Sequence, residues 1–342
     1  MPAIGCAQLL NGSIRSTLQM MTPYLLLGAG FSRNWGGWLG AEVFEYLLGH
    51  PEIVDNQELR RALWTAQPRG GFEIALSDLQ SAVMANGSAA ANLKRLETAV
   101  VAMFDDMNKG LEAAKWEFSN FVDNSVSRCL TQFEAIFTLN QDLLVECHYL
   151  DASPELCRPD RWNGVGMPGI SAGQKTASII GQRWEILGED AFRIENRIQP
   201  YFKLHGSSNW IAPDGSATLV MGGNKPGAIG GSPILAWYQE EFEQHLCSGN
   251  ARLMVIGYGF RDQHINDVII RAIEDHGLRM FVVDPEGAGI ARAVNPTLGG
   301  VYDPNALDSA FVRGLVGASR RGLAEIFSGG SELAKLYRLL RV

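Results

Sequence analysis

The feature that most constrains the fold is a set of short apolar runs, each of which stops abruptly at glycine or polar residues. IFTLNQD, ending at Asp142, and YFKLHGS, ending at Ser207, stop at an amide, a carboxylate and an imidazole. PYLLLGAGFS and ARLMVIGYGFRDQHIN instead run into glycine turns. Uninterrupted apolar runs are typical of strands in parallel sheets, which bind ligands at the carboxyl ends of their strands. We therefore expect these four segments to form a site at one sheet edge.

The alternation of strands, loops and helices predicts an α/β fold: a Rossmann-like parallel sheet with helices on both faces. Helices are predicted for about 41–49 and for DQHINDVIIRAIEDHG, with a stop signal at Gly277. No strand pattern occurs between about residues 50 and 132, which predicts a helical insertion. The sequence of residues 151–200 predicts a small irregular, partly β module that lacks a zinc site, and that of 211–232 predicts turns and a mobile loop. After the strand RMFVVDPEG, loop and helices are expected.

Composition excludes several classes of protein. The chain has 342 residues, 46% of them hydrophobic, and a net charge of -8, which argues against disorder and against a surface made for nucleic acid. The stretch from Arg313 onward is basic, and fits either a solvated helix face or a surface for an acidic partner. The N-terminus does not resemble a secretory signal, and no apolar run is long enough to span a bilayer. We expect a cytoplasmic protein.

The cysteine and histidine patterns predict no metal. The five cysteines are odd in number and contain no CxxC pair, so neither a disulfide framework nor a four-cysteine zinc site is supported. His245, His264 and His276 are dispersed along the chain, and no HxxxH pair with a nearby acid appears.

The first glycine turn is a candidate phosphate site. Glycines after a strand let the backbone approach a phosphate, and a following helix N-terminus favours anions. The candidate residues are Gly28, Ala29, Gly30, Phe31 and Ser32. A third glycine of the dinucleotide fingerprint would stand where this chain has Arg33, so a standard Rossmann dehydrogenase is not expected. A tight turn with no ligand remains the alternative.

Three polar residues at strand ends are candidates for binding and catalysis. Asn140 and Asp142 suit the hydroxyls of a ribose or a nicotinamide carboxamide, but either could instead cap the helix predicted from Leu143. His205 suits a general base near neutral pH. Its alternative is a buried neutral histidine that holds a backbone carbonyl.

The second glycine turn and the last strand add further candidates. Gly257 and Gly259 repeat the phosphate-approach pattern, and Asp262 follows at the start of a predicted helix. Asp284, after FVV, is placed to meet an adenine or a ribose. Simple helix capping by Asp262 is the alternative, and it is compatible with binding.

The ordered set GAGFS, TLNQD, KLHG, GYGFRDQHIN and VDP resembles the sirtuin-like (SIR2-like) family, and is most similar to its bacterial anti-phage NADase branch. The resemblance implies NAD⁺ as substrate, with Asn140 and His205 catalytic and Asp142 near the nicotinamide. It implies that other residues bind pyrophosphate or ribose: Gly28, Ala29, Gly30, Ser32, Gly257, Tyr258 and Asp262. It further implies a sirtuin-like domain over about 1–300 and a helical extension over 301–342.

The departures from the family narrow the expected activity. Deacylating sirtuins carry paired CxxC zinc motifs and an Asp-Phe-Arg element after the GAG loop, and this chain has FSRNWGGWLG instead. The resemblance therefore implies an NAD⁺ hydrolase that acts as an anti-phage effector by NAD depletion. The alternatives are a non-catalytic module that senses NAD or ADP-ribose through oligomerisation and, more remotely, an NAD-dependent protein deacylase.

The resemblance also implies partners. A toxic NADase must be restrained, so we expect a homo-oligomer and a protein that senses phage. A HerA-type ATPase and a short Argonaute are the two candidates, and the sequence does not choose between them. Neither membrane attachment nor direct nucleic-acid binding is expected.

Overall fold

A seven-stranded parallel sheet forms the centre of the computed structural model, which describes residues 21–150, 158–171, 178–222, 225–290 and 307–340. We call it the main sheet. The strands in chain order are β1 Thr22–Leu27, β2 Ala135–Thr138, β3 Gly164–Gly166, β4 Ile170–Ser171, β5 Trp184–Ile186, β6 Ile198–Lys203, β7 Gly206–Ile211, β8 Ala217–Leu219, β9 Ala251–Ile256, β10 Arg279–Val283 and β11 Leu315–Ser319. The main sheet has the order β11-β10-β9-β1-β2-β6-β3, which confirms the predicted parallel α/β fold.

The chain reverses its direction across the main sheet between β1 and β9. From β1 it builds outward through β2 and β6, and it later returns to β9 and builds the other way through β10 and β11. The strands also end level: Leu27 pairs with both Thr138 and Ile256. Such a switch point, where neighbouring loops leave in opposite directions, opens the crevice in which sheets of this type bind ligands.

The apolar runs explain why these strands form the core. Tyr24–Leu27 and the whole of β2 are buried, as are the last four residues of β9. A strand covered on both faces is mostly apolar, because helices exclude water from each side. The apolar content of these runs therefore places them at the centre of the sheet rather than at its edges.

Helices flank the main sheet and fill the stretch between β1 and β2. Their bounds are α1 Ala29–Arg33, α2 Gly40–Gly49, α3 Pro51–Val54, α4 Gln57–Ala66, α5 Phe72–Asn86, α6 Ala90–Glu112, α7 Val126–Leu130, α8 Lys225–Gly230, α9 Pro233–Leu246, α10 Gln263–His276, α11 Leu307–Gly314, α12 Leu323–Phe327 and α13 Ser331–Leu340. The helices predicted at about 41–49 and up to Gly277 are thus present as α2 and α10. The stretch between residues 57 and 112 is mainly helical, although the domain boundaries themselves stay predictions.

Two parts of the sheet structure differ from expectation. The described residues form a second sheet of four strands, β4-β5-β7-β8, in which β4 and β5 lie within the module predicted as partly β, whereas β8 lies within the segment predicted as turns and loop. Strand β11 lies in the C-terminal segment predicted as loop and helices, and it pairs in parallel with β10. Strands β7, β8 and β11 were missed because their sequences, GSSNWI, ATL and LVGAS, lack an uninterrupted apolar run.

Some predictions fall outside the described residues. These are the N-terminal segment without a secretory signal, Cys6 and Cys157, and parts of the small module at 151–157 and 172–177. Among the helices that the structure describes, none is both long and apolar enough to cross a membrane.

Candidate functional site

All the predicted site segments leave the main sheet at one edge. The turns after β1, β2, β6, β9 and β10 carry Gly28, Asn140, His205, Gly257 and Asp284, respectively. These strands are consecutive neighbours and run parallel, so their carboxyl ends meet at the same side. The tertiary structure therefore brings together residues that lie far apart in the sequence.

The two glycine turns pack directly against each other at the switch point. The Gly28 amide donates to Ile256 O, and the Gly30 amide donates to Gly257 O at 2.9 Å. A Cβ at Gly28 would lie 2.5 Å from Gly257 O, and one at Gly30 would lie 2.7 Å from Gly257 Cα. Close backbone packing therefore accounts for these glycines, and their amides are already used. Their predicted role toward phosphate stays a prediction.

Asn140 ties the end of β2 to the first glycine turn. Its Nδ2 donates to Gly28 O and to Ser32 Oγ, both at 3.0 Å. Its Oδ1 accepts no hydrogen bond from the described residues, which leaves it available to water or a ligand. The Nδ2 end of the side-chain amide therefore holds the glycine turn, while the Oδ1 end can bind water or a ligand.

Asp142 serves the backbone, as its capping alternative predicts. Its Oδ1 accepts a hydrogen bond from the Leu144 amide at 3.1 Å, an Asx-type turn, and a π-helical turn follows over Glu146–Leu150. Its backbone carbonyl accepts a hydrogen bond from Lys203 Nζ at 2.5 Å. The contact of this carboxylate with nicotinamide stays a prediction.

A fully buried ion pair lies beneath this edge and was missed by the sequence analysis. Lys203, the last residue of β6, also bonds to Glu146, and both side chains are 0% exposed. Burial raises the pKa of Glu146, and the charge of Lys203 opposes that rise. The pair anchors the turn after β2 to the strand that carries His205. A lysine inside the apolar run YFKLHG and a glutamate inside LLVEC were the available signals.

Asn108 on α6 is a second missed residue that joins the same two segments. Its Oδ1 accepts the Leu143 amide at 2.9 Å, and its Nδ2 donates to Ser208 Oγ at 3.1 Å. It is buried, so both bonds are shielded from water. The predicted helical insertion thereby contacts the candidate site through a specific polar side chain.

His205 lies next to His264 rather than next to a backbone carbonyl. Their Nε2 atoms are 3.1 Å apart, so one ring donates to the other. Burial, and to a lesser degree the charge of Lys225, lowers the pKa of His205 to about 3, while Asp262 opposes the shift. The pKa of His264 is also lowered, chiefly by burial. Both rings are therefore neutral at pH 7, and His264, treated as dispersed in the sequence analysis, belongs to the cluster.

Asp262 closes the cluster with a salt bridge instead of capping α10. Its side chain makes no cap hydrogen bond, and its Oδ1 accepts Lys225 Nζ at 2.8 Å. The same ammonium lies 2.8 Å from Glu73 of α5. Burial would raise the pKa of Asp262, but His205 and Lys225 hold it below its usual value. The ligand atoms of His205, Asp262 and His264 all lie within 4.8 Å of one another.

Tyr258 and Asp284 are bound within their own turns. The Tyr258 hydroxyl lies 3.1 Å from Asn266 Oδ1 and 3.2 Å from the backbone of Asp262. Asp284 Oδ1 accepts the Glu286 amide at 2.9 Å, and burial raises the pKa of its carboxyl. Both residues shape the site edge, and direct contact with a ligand stays a prediction for each.

Strand β7 provides unpaired polar groups immediately after His205. Ser207 Oγ and both amide atoms of Asn209 are buried and have no partner among the described residues. The two residues lie two positions apart on β7. Buried groups of this kind are normally satisfied by water or by a ligand.

A separate cavity of about 430 Å³ lies between the small module and β6. Its lining is largely apolar and includes Met167, Trp184 and Ile198, with the buried Glu146 at one wall. None of the predicted site residues lines it. The cavity is therefore distinct from the sheet edge that carries Asn140 and His205.

Comparison with known proteins gives one family match. Residues 134–298 match the family model described as SIR2-like domain. The match supports the sirtuin-like family. It covers the segments that carry Asn140, His205, Gly257 and Asp284 and begins after the first glycine turn.

One solved structure, described as the crystal structure of a Sir2 homolog–NAD complex, is similar with a TM-score of 0.42 and 13% sequence identity, over 94% of this chain and 89% of that chain. No curated protein sequence matches the chain.

Proposed function

We propose that the protein hydrolyses NAD⁺ to nicotinamide and ADP-ribose at the edge formed by the ends of β2 and β6. The observation that carries this proposal is the placement of Asn140, with its free Oδ1, and of neutral His205 at the ends of these neighbouring strands. The SIR2-like match over 134–298 supports an NAD-related activity.

The reaction follows from the chemistry of the two side chains. The bond between nicotinamide and the ribose breaks, and its electron pair leaves with the ring, which becomes neutral nicotinamide. Asn140 Oδ1 accepts a hydrogen bond from the attacking water or a ribose hydroxyl. His205 accepts the proton that the water loses as its oxygen bonds to the ribose carbon, and later passes the proton to solvent. The products are nicotinamide, ADP-ribose and one proton.

The surroundings suit a developing positive charge on the ribose. A neutral imidazole does not repel the oxocarbenium-like ribose, whereas an imidazolium would. Asp262 and Glu73 both pair with Lys225, so these three side chains together carry a net negative charge. In a site shielded from water such fixed charges act more strongly than in solution.

The test is nicotinamide release by the purified chain, followed by chromatography. We expect His205→Ala to reduce turnover by about 10²–10⁴-fold, the usual contribution of a general base. His276→Ala is the matched control, because His276 is exposed at the end of α10. Unchanged turnover in both His205→Ala and Asn140→Ala would exclude the assignment.

A second candidate function is binding without turnover, in a module that senses NAD or ADP-ribose. It is favoured by the very low pKa of His205, which makes the imidazole a weak base. A thermal shift with NAD⁺, together with intact NAD⁺ after long incubation, would select this alternative over hydrolysis.

We place the hydrolase in anti-phage defence as an effector that depletes NAD, restrained in a homo-oligomer or by a phage-sensing partner. The contacts of Asn108 and Glu73 give the helical stretch between β1 and β2 a physical connection to the site. Size-exclusion chromatography with a HerA-type ATPase or a short Argonaute, coupled to nicotinamide release, tests each candidate partner.

A further inference from the structure

Three potential metal ligands converge at the candidate site, and the hydrolysis mechanism does not use them as a set. His205 follows β6, whereas Asp262 and His264 lie at the start of α10. One ligand atom of each residue lies within 4.8 Å of those of the other two. His205 is buried, and the other two are half-buried, so the group is shielded but reachable from solvent.

The separation of the two imidazoles fits a shared ion. Their Nε2 atoms are 3.1 Å apart. Zinc–nitrogen bonds are about 2.0–2.1 Å long, so two nitrogens on one tetrahedral ion lie about 3.3 Å apart. Binding would therefore require the rings to separate by only a few tenths of an ångström, together with a shift of one proton from Nε2 to Nδ1.

The third ligand is available without dismantling the salt bridges around it. Lys225 Nζ donates a hydrogen bond to Asp262 Oδ1, and Asp262 Oδ2 makes no hydrogen bond with the described residues. If an ion draws the carboxylate away, Lys225 keeps its second partner, Glu73, at 2.8 Å. The ammonium therefore does not become an unpaired buried charge.

We propose that His205, His264 and Asp262 bind one divalent transition-metal ion such as Zn²⁺. Two imidazoles and one carboxylate form one of the ligand sets of open zinc sites and of other divalent transition-metal sites, with the remaining position left to water or a ligand. The sequence predicted no metal because His264 was compared only with His245 and His276, which are dispersed along the chain, and not with His205. Since the ion occupies Nε2 of His205, it removes the base, and this inhibitory consequence rests on the proposed hydrolysis.

The experiment uses the full chain, stripped with a chelator, and Co²⁺ as a spectroscopic probe. We expect visible ligand-field bands that saturate at one Co²⁺ per chain and disappear when Zn²⁺ is added. His264→Ala should weaken binding by at least about 100-fold, since losing a residue that only hydrogen-bonds to a metal ligand already costs about 10–100-fold. His276→Ala, which removes an exposed histidine from the same helix, should bind like the parent.

Several outcomes would overturn the proposal. Absence of saturable bands, or equal Co²⁺ affinity in His264→Ala and the parent, excludes the site. His264→Gln, with circular dichroism on every variant, guards against a folding defect. Nicotinamide release that persists at saturating Zn²⁺ refutes the inhibitory consequence alone. No release from metal-free protein refutes the hydrolysis, while the Co²⁺ bands still decide the metal site.

Discussion

The same sheet edge is built in two different ways on either side of the switch point. On one side the two glycine turns, Gly28–Gly30 and Gly257, pack backbone against backbone. On the other, side chains join the ends of β2 and β6: Asn140, Lys203 and Asn108 bridge the segments. Backbone packing occupies the Gly28 and Gly30 amides, whereas side chains can hold the structure with one atom and offer another. The candidate catalytic groups accordingly lie on the side built from side chains.

The glycine side should tolerate substitution less well than the side built from side chains. Gly257 has φ +65°, and a Cβ there would lie 2.3 Å from Gly30 C and Phe31 N. We expect Gly257→Ala to lower the free energy of unfolding by about 4–6 kcal/mol, the sum of backbone strain and overpacking near the top of their usual ranges. Urea denaturation measures it.

Gly259→Ala is the matched control two residues away. A Cβ at Gly259 would meet only the Arg261 side chain, at 3.9 Å, so its effect should stay within about 0.5 kcal/mol. Equal stability losses in the two variants would contradict the view that backbone packing sets the glycine requirement.

The side built from side chains should lose most stability when its buried ion pair is broken. Lys203→Met leaves Glu146 unpaired in a site where both side chains are 0% exposed. We expect a loss of about 3–5 kcal/mol in the free energy of unfolding, the usual cost of removing one partner from a buried pair. Chemical denaturation with two-state fitting is the measurement.

The double variant Lys203→Met/Glu146→Leu sharpens this test. Replacing both charges with apolar groups removes the uncompensated carboxylate, so stability should recover relative to Lys203→Met. A double variant no more stable than the single one would show that the Lys203 contact with Asp142 O, and not the charge pair, matters most.

The smallest expected effect is on the pH dependence of stability, to which His205 on the side-chain side contributes. The pKa of His205 is lowered to about 3 in the folded protein, against an unfolded value of about 6.5. The unfolded chain therefore binds more protons between these values, and stability falls as the pH drops from about 6.5 toward 3. The slope contributed by one such group is at most about 1.4 kcal/mol per pH unit.

The difference between the parent and His205→Gln isolates this term from the carboxylates. We expect the free energy of unfolding of His205→Gln to depend less steeply on pH between about 4 and 6. Parallel pH curves for the two proteins would mean that His205 ionises normally in the folded state.

Much of the sheet could be predicted from the sequence because apolar runs report burial directly. YLLL, AIFT, LMVI and FVV all lie in core strands, and Gly28, Asn140, His205, Gly257 and Asp284 all follow strands of the main sheet. Strands β7, β8 and β11 could not be predicted in this way. Their polar and small residues are placed by pairing with neighbours, a tertiary contact that leaves no local periodicity.

The sequence by itself determined which residues stand at strand ends, because the change from apolar to polar marks where a buried strand meets solvent. Only the tertiary structure decided which of them meet. In the folded protein the glycines pack against each other, and Asn140 Nδ2 bonds to the backbone. His264, Asp262 and Lys225 lie close to His205. The reason is physical: strand order and register set distances between remote segments, and side-chain pairing at those distances sets the charge and protonation of the site.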